Sequence, residues 1–112
     1  MRIAIPLVQG ELSLHFGHCE QFSIFDIDDN IKKVIKRKDA APPGYAPGVL
    51  PKWLHENSVS VIIAGGMGQR AQQLLVQNNI KVVIGASGQS PEELVSAYLE
   101  NRLQTGDNIC DH

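Results

Sequence analysis

Two short segments of the chain concentrate the side chains that bind soft metals. One has the sequence HFGHC and runs from His15 to Cys19, and the other has the sequence CDH and runs from Cys110 to His112. Together they hold both cysteines and three of the four histidines. Imidazole and thiolate are ligands for zinc, copper, iron and iron-sulfur clusters, whereas calcium and magnesium prefer oxygen. The candidate ligands are therefore His15, His18, Cys19, Cys110 and His112.

A second interpretation of these segments stays open. His-x-x-His-Cys is not a specific motif, so His15 and His18 can also be ordinary loop residues. Phe16 would then be a core anchor and Cys19 a small buried residue. A Cys-Asp-His end is often frayed, and residues 104–112 show no periodicity, so we expect a flexible tail there.

A glycine-rich turn is the third candidate feature. Residues 66–71 match G-x-G-x-x-A, a form of the dinucleotide fingerprint. The match lies in a late crossover, and no acid stands at 87–90 to bind a ribose hydroxyl, so the sequence argues against a nicotinamide dinucleotide site. Glycines before a helix still expose N–H groups to an anion, and Arg70 adds positive charge. The alternative is a tight turn with a solvated arginine.

The elements that must position these segments follow an α/β pattern. Asp29-Asn30 is a turn-forming pair, so the runs on either side of it predict a hairpin with one charged face. The later strands are β-branched and alternate with helices, which implies parallel crossovers. The predicted strands cover residues 2–8, 22–28, 31–36, 59–64 and 80–84.

Three helices connect or follow the later strands. Apolar residues recur at i, i+3 and i+4 in a segment ending near Asn57 and in one closed by Asn78. The last helix begins at Ser90, where S-P-E-E matches a capping box. A proline- and glycine-rich stretch, residues 40–51, predicts an irregular loop before the first helix. The element order predicts an α/β fold with a mixed five-stranded sheet and helices on both faces.

Composition limits the classes of function. The chain has 112 residues, 43% of them hydrophobic, and a formal net charge of -2, which fits a single globular domain over residues 1–112. We expect no nucleic-acid partner because there is no broad basic field. No apolar run suits a signal peptide or a membrane span, so we expect a cytoplasmic protein. Phosphate-binding-loop, serine-elbow and zinc-protease motifs are absent, so no enzyme is expected.

The sequence resembles the dinitrogenase iron-molybdenum cofactor biosynthesis family over essentially the whole chain, and it is most similar to the small stand-alone members. The matching segments are 15–19, 22–28, 42–44, 53–54, 62–71, 85–86 and 105–112.

The resemblance implies a ribonuclease H-like three-layer α/β/α sandwich with strand order 3-2-1-4-5. It implies no nuclease activity, because residues 2–8 lack the acid of that fold's nuclease branch. Members bind or carry metal-sulfur clusters, and His15 is the expected cluster contact. Further cluster-binding residues are then Gly17, Gly65, Gly66, Gly68 and Arg70.

Our leading hypothesis is a non-enzymatic carrier or scaffold for a metal-sulfur cluster in cofactor biosynthesis or trafficking, with a donor or acceptor protein as partner. The cluster is of the iron-molybdenum type or, as in the related orange proteins, of a molybdenum-copper type. One alternative is a mononuclear zinc site built from His18, Cys19, Cys110 and His112. Another is a cofactor-free module that binds a partner ATPase through the proline-rich loop.

Overall fold

The computed structural model describes residues 1–46, 48–87 and 90–106, which form one mixed sheet and three α-helices. A short 3-10 helix, Phe16–His18, lies in the loop after the second strand. The strands are β1 (Arg2–Val8), β2 (Glu11–Leu12), β3 (Gln21–Asp28), β4 (Lys33–Ala40), β5 (Val61–Ile63) and β6 (Lys81–Val83), and the helices are α1 (Val49–Glu56), α2 (Gln69–Gln77) and α3 (Pro91–Leu99).

The strands follow the order β4-β3-β1-β5-β6, and the short β2 pairs with β1. β1 is antiparallel to β3 and parallel to β5, and β5 is parallel to β6. The predicted α/β fold with one mixed sheet is confirmed. The sheet has six strands rather than the five predicted, because the two residues of β2 are too few to show a period of two. The ribonuclease H-like classification stays a prediction.

The sheet separates two apolar clusters, which places helices on both of its faces. On one face, Leu54 of α1 and Leu75 of α2 pack in the same cluster as Ile62 of β5. On the other face, Leu94 of α3 packs in a cluster with Ile3 of β1. All five of these side chains are 0% exposed. β1 is apolar on both faces because each face is covered.

Local signals account for the helix ends. The Ser90 hydroxyl accepts a hydrogen bond from the Glu93 amide at 3.3 Å, which confirms the predicted cap of α3. Asn57 and Asn78 are the C-cap residues of α1 and α2, which confirms the predicted ends of both helices. Within the described ranges, no helix has the length and apolar character needed to cross a bilayer.

Strand boundaries depart most from the prediction in the hairpin. β4 begins at Lys33 and continues to Ala40, whereas its pattern predicted residues 31–36. Six of its eight residues are exposed and five are charged, so hydrophobic alternation gives no signal there. Pairing with β3, which runs from Phe22 opposite Ala40 to Asp28 opposite Lys33, sets its length instead.

Candidate functional site

The loop that carries the two neighbouring histidines, residues 13–20, is called the histidine loop. It is held in place by its backbone and by one aromatic anchor. Phe16 is 5% exposed and packs edge-on against Phe22, with 5.8 Å between the ring centroids. The Phe16 amide donates a hydrogen bond to the Gly66 carbonyl at 3.0 Å. The buried Ser13 hydroxyl donates to the His15 carbonyl at 2.8 Å. The sequence segments around His15 and Gly66 are therefore joined in the fold.

His15 and His18 lie close together on the outer side of this loop. Both side chains are exposed, and their ring centroids are 5.9 Å apart in an edge-on arrangement. Both line a cavity of about 270 Å³ whose other walls come from the loop and from the start of α2. The cavity is lined by His15, Phe16, Gly17, His18, Met67, Gly68 and Ala71.

Gly65 and Gly66 support the loop from behind and do not line this cavity. Both are buried. A Cβ atom on Gly65 would lie 3.2 Å from the Leu14 Cα and 3.3 Å from the Ser13 carbonyl oxygen, so only glycine fits without movement of the loop. Of the three glycines predicted in this turn to contact a ligand, Gly68 alone is on the cavity wall.

Arg70 lies in the first turn of α2, where no acidic residue is present. Its exposed side chain lines a second, smaller cavity of about 170 Å³ beside the first. The two cavities adjoin, because Phe16, Gly17 and Ala71 line both of them. Arg70 therefore lies beside the cavity of the two histidines but does not line it. The uncapped start of α2 and the guanidinium both favour a negatively charged neighbour.

Cys19, which the sequence predicts as a ligand, is buried in the core. Its side chain is 3% exposed and belongs to the apolar cluster that contains Phe22. Burial raises the pKa of the Cys19 thiol to about 11, so the thiolate that would bind a metal is disfavoured at neutral pH. Among the described residues, no three histidine, cysteine or acidic side chains converge as a metal-ion site requires. The geometry matches the alternative in which Cys19 is a small core residue.

The other two predicted ligands, Cys110 and His112, lie outside the described residues. Their roles, and the zinc site that depends on them, stay predictions. Of the predicted tail 104–112, the described part ends at Gly106. The Gly106 amide donates a hydrogen bond to the Gly85 carbonyl at 2.7 Å, which ties this part to the body of the fold.

Tyr45 is a contributor that the sequence analysis missed. Its hydroxyl donates a hydrogen bond to the Cys19 carbonyl at 2.6 Å, so the proline-rich loop is fastened beside the histidine loop. Partial burial, followed by the proximity of Cys19 and Glu20, raises the pKa of Tyr45. The available signal was one aromatic residue with a polar tip in a loop of small residues and prolines.

Comparison with known proteins finds relatives that are similar in sequence or in fold. The chain is 34% identical over 107 residues to an uncharacterised protein of Methanocaldococcus jannaschii, covering 93% of this chain and 90% of that protein. The crystal structure of the protein PH0822 superposes with a TM-score of 0.85 at 26% identity, over 95% of this chain and 96% of the other. The apo orange protein of Desulfovibrio gigas has the same fold, with a TM-score of 0.72 at 18% identity, over 96% and 93% of the two chains.

The family comparison covers nearly all of the sequence. The family described as "Dinitrogenase iron-molybdenum cofactor" matches residues 1–101. This span includes the histidine loop, the glycine-rich turn and all three helices. The chain therefore belongs to the dinitrogenase iron-molybdenum cofactor family.

Proposed function

We propose that this protein binds a metal-sulfur cluster as cargo and carries or scaffolds it without catalysing a reaction. The observation that carries the proposal is the single cavity lined by both imidazoles and by the start of α2. The family points to a connection with the iron-molybdenum cofactor. The cavity supplies the ligand chemistry that such a cargo requires.

The number of protein donors favours a cluster over a bare metal ion. A structural zinc ion needs about four protein ligands. A preassembled cluster already contains sulfide ligands, so two imidazoles are enough to attach it to the protein. His15 and His18 provide this pair. The buried, protonated Cys19 is not needed in this arrangement.

The charge around the cavity fits the same cargo. Metal-sulfur clusters carry negative charge, and they are stabilised by N–H dipoles at a helix start and by guanidinium groups. α2 starts at the cavity wall, where Gly68 occupies the N-cap position and supplies no side-chain cap. The Arg70 side chain forms no ion pair with the described residues and extends from the same helical turn.

The test is anaerobic reconstitution of the full chain with sulfide and iron, molybdate or copper. We expect visible absorption and stoichiometric metal and sulfide in the wild-type protein. A His15→Ala/His18→Ala double variant should lose most of both. The matched control is His55→Ala, because His55 is an exposed imidazole on α1, remote from the cavity, whose Nδ1 contacts the Asn78 carbonyl.

The outcomes separate the proposal from its rivals. Equal loading of the double variant and the wild type, with both folded by circular dichroism, overturns the assignment of the cavity. Absence of a chromophore under every metal combination overturns cluster binding. Stoichiometric zinc without sulfide, sensitive to Cys19→Ala, would instead support the mononuclear zinc site.

A further inference from the structure

A larger cavity lies at the end of the sheet where β1 and β6 begin. Its volume is about 470 Å³, within the range of small-molecule sites. Residues from the chain start, the β3–β4 turn, β6, α3 and the segment after α3 line it. The histidine loop follows the opposite end of β1, so this cavity is separate from the proposed cluster site.

The charged residues that line this cavity are all cationic. The exposed side chains of Lys32 and Lys81 line it, and neither forms an ion pair with a described residue. Met1 also lines the cavity, and its amino group is paired with Asp29 at 3.0 Å. No carboxylate of the described residues is on the wall. Two lysines with no carboxylate partner among the described residues line one cavity, and an anion between their ammonium groups would be stabilised by both.

The remaining wall consists of apolar and aromatic side chains together with two polar residues, Asn101 and Thr105. The Lys81 ammonium lies 5.6 Å from the centroid of the Tyr98 ring, a contact that holds the lysine on this side of the sheet. Val83 is two positions further along β6, so it presents its side chain on the same face as Lys81. Leu99 and Leu103 complete the apolar surface. A bound molecule would thus meet cations and an apolar wall together.

Backbone hydrogen bonds show that the wall after α3 is already formed. The Asn101 amide donates to the Tyr98 carbonyl at 3.1 Å, and Asn101 has a positive φ of 57° that turns the chain away from the helix. Further along, Gly106 is fixed to Gly85. The segment that closes the cavity is therefore anchored at both ends, which lowers the entropic cost of binding.

We infer that this cavity binds a small organic phosphate, in which a phosphate monoester lies between Lys32 and Lys81 and an apolar or aromatic body lies against Val83, Leu99 and Leu103. A phosphate monoester carries a charge of about -1.5 to -2 at neutral pH, which matches two ammonium groups better than a single carboxylate does. The inference does not depend on cluster binding, because no residue of the histidine loop lines this cavity.

The test is an NMR titration of the isotope-labelled full chain with adenosine monophosphate at constant ionic strength. Adenosine, which has the aromatic group but no phosphate, tests the contribution of the apolar wall. Inorganic phosphate, which has the charge but no aromatic group, tests the contribution of the two lysines. We expect saturable shifts at residues around Lys81 and Tyr98 with the nucleotide, and affinities at least several-fold weaker with either fragment. Lys32→Ala and Lys81→Ala should each weaken nucleotide binding by about tenfold, as expected for a lost charged contact.

Lys52→Ala is the matched control, because Lys52 is an exposed lysine on α1, on the opposite face of the sheet. It should bind the nucleotide like the wild type. Shifts that do not saturate, or equal losses in Lys52→Ala and Lys81→Ala, would overturn the site. Equal affinity for inorganic phosphate and the nucleotide would refute the claim that the organic part of the ligand contributes to binding. Cluster loading of Lys81→Ala should stay at the wild-type level. The two assays therefore test phosphate binding and cluster binding independently.

Discussion

Replacing Gly65 with alanine should loosen the attachment of the histidine loop and lower the stability of the fold. The new Cβ would lie 3.2 Å from the Leu14 Cα, 3.3 Å from the Ser13 carbonyl oxygen and 3.4 Å from the Ala86 carbonyl oxygen. All three neighbours are backbone atoms, so the strain cannot be relieved by rotating a side chain. Gly65 has no positive φ, which isolates the close contact as the cause.

The expected cost is about 1–3 kcal/mol, the usual range for overpacking a closely packed site. With a urea m-value near 2 kcal/mol/M, the unfolding midpoint should fall by about 0.5–1.5 M. Urea unfolding followed by circular dichroism measures this change. Because the loop also carries both imidazoles, cluster loading of the folded variant should weaken as well.

Gly44→Ala is the control for this measurement. An added Cβ at Gly44 meets no atom within 4 Å, and the residue has no positive φ, so its free energy of unfolding should change by less than about 0.5 kcal/mol. If Gly65→Ala unfolds at the same urea concentration as Gly44→Ala, the close approach of the two segments does not hold the loop, and the reasoning is refuted.

Three further predictions concern single contacts. Ser90→Ala should lower the free energy of unfolding by about 1 kcal/mol in urea titrations, because the amide of Glu93 loses its cap; no loss would show that the cap is unimportant. Tyr45→Phe should cost about 0.5–1 kcal/mol in the same assay through the lost bond to the Cys19 carbonyl, and an unchanged midpoint would contradict that bond. The raised pKa of the Cys19 thiol means that the unfolded thiol ionises first, so stability should fall as the pH rises from about 9 to about 11. Urea midpoints across that pH range should show this slope relative to Cys19→Ala, and parallel curves would contradict it.

Patterns that depend on neighbours in sequence predicted much of the fold. The cap at Ser90 and the apolar run of β1 are local features, and the structure has both where they were expected. The hairpin was also expected, but β4 extends further because pairing with β3 sets its end. β2 went unrecognised because two residues carry no periodicity.

The site was predictable in its parts but not in its geometry. The types and spacing of His15 and His18 singled out the loop, and glycines before a helix singled out the turn. Which side chain of the motif turns inward depends on packing, and Cys19 joins Phe22 in the core, where a ligand role had been expected. The contact of Tyr45 with the Cys19 carbonyl spans 26 positions, and no local pattern encodes it.

The parallel pairing of β1 with β5 has a consequence for when the cavity lined by His15 and His18 forms. The hydrogen bond from the Ser60 hydroxyl to the Arg2 carbonyl beside this pairing spans 58 positions. Closing a loop of that length costs about 2 kcal/mol more in entropy than closing the β3–β4 hairpin. The histidine loop follows β2, which is paired with β1, and the glycine-rich turn follows β5, so a chain that has formed only its β3–β4 hairpin has no cavity. The cavity therefore forms only after β1 and β5 have paired.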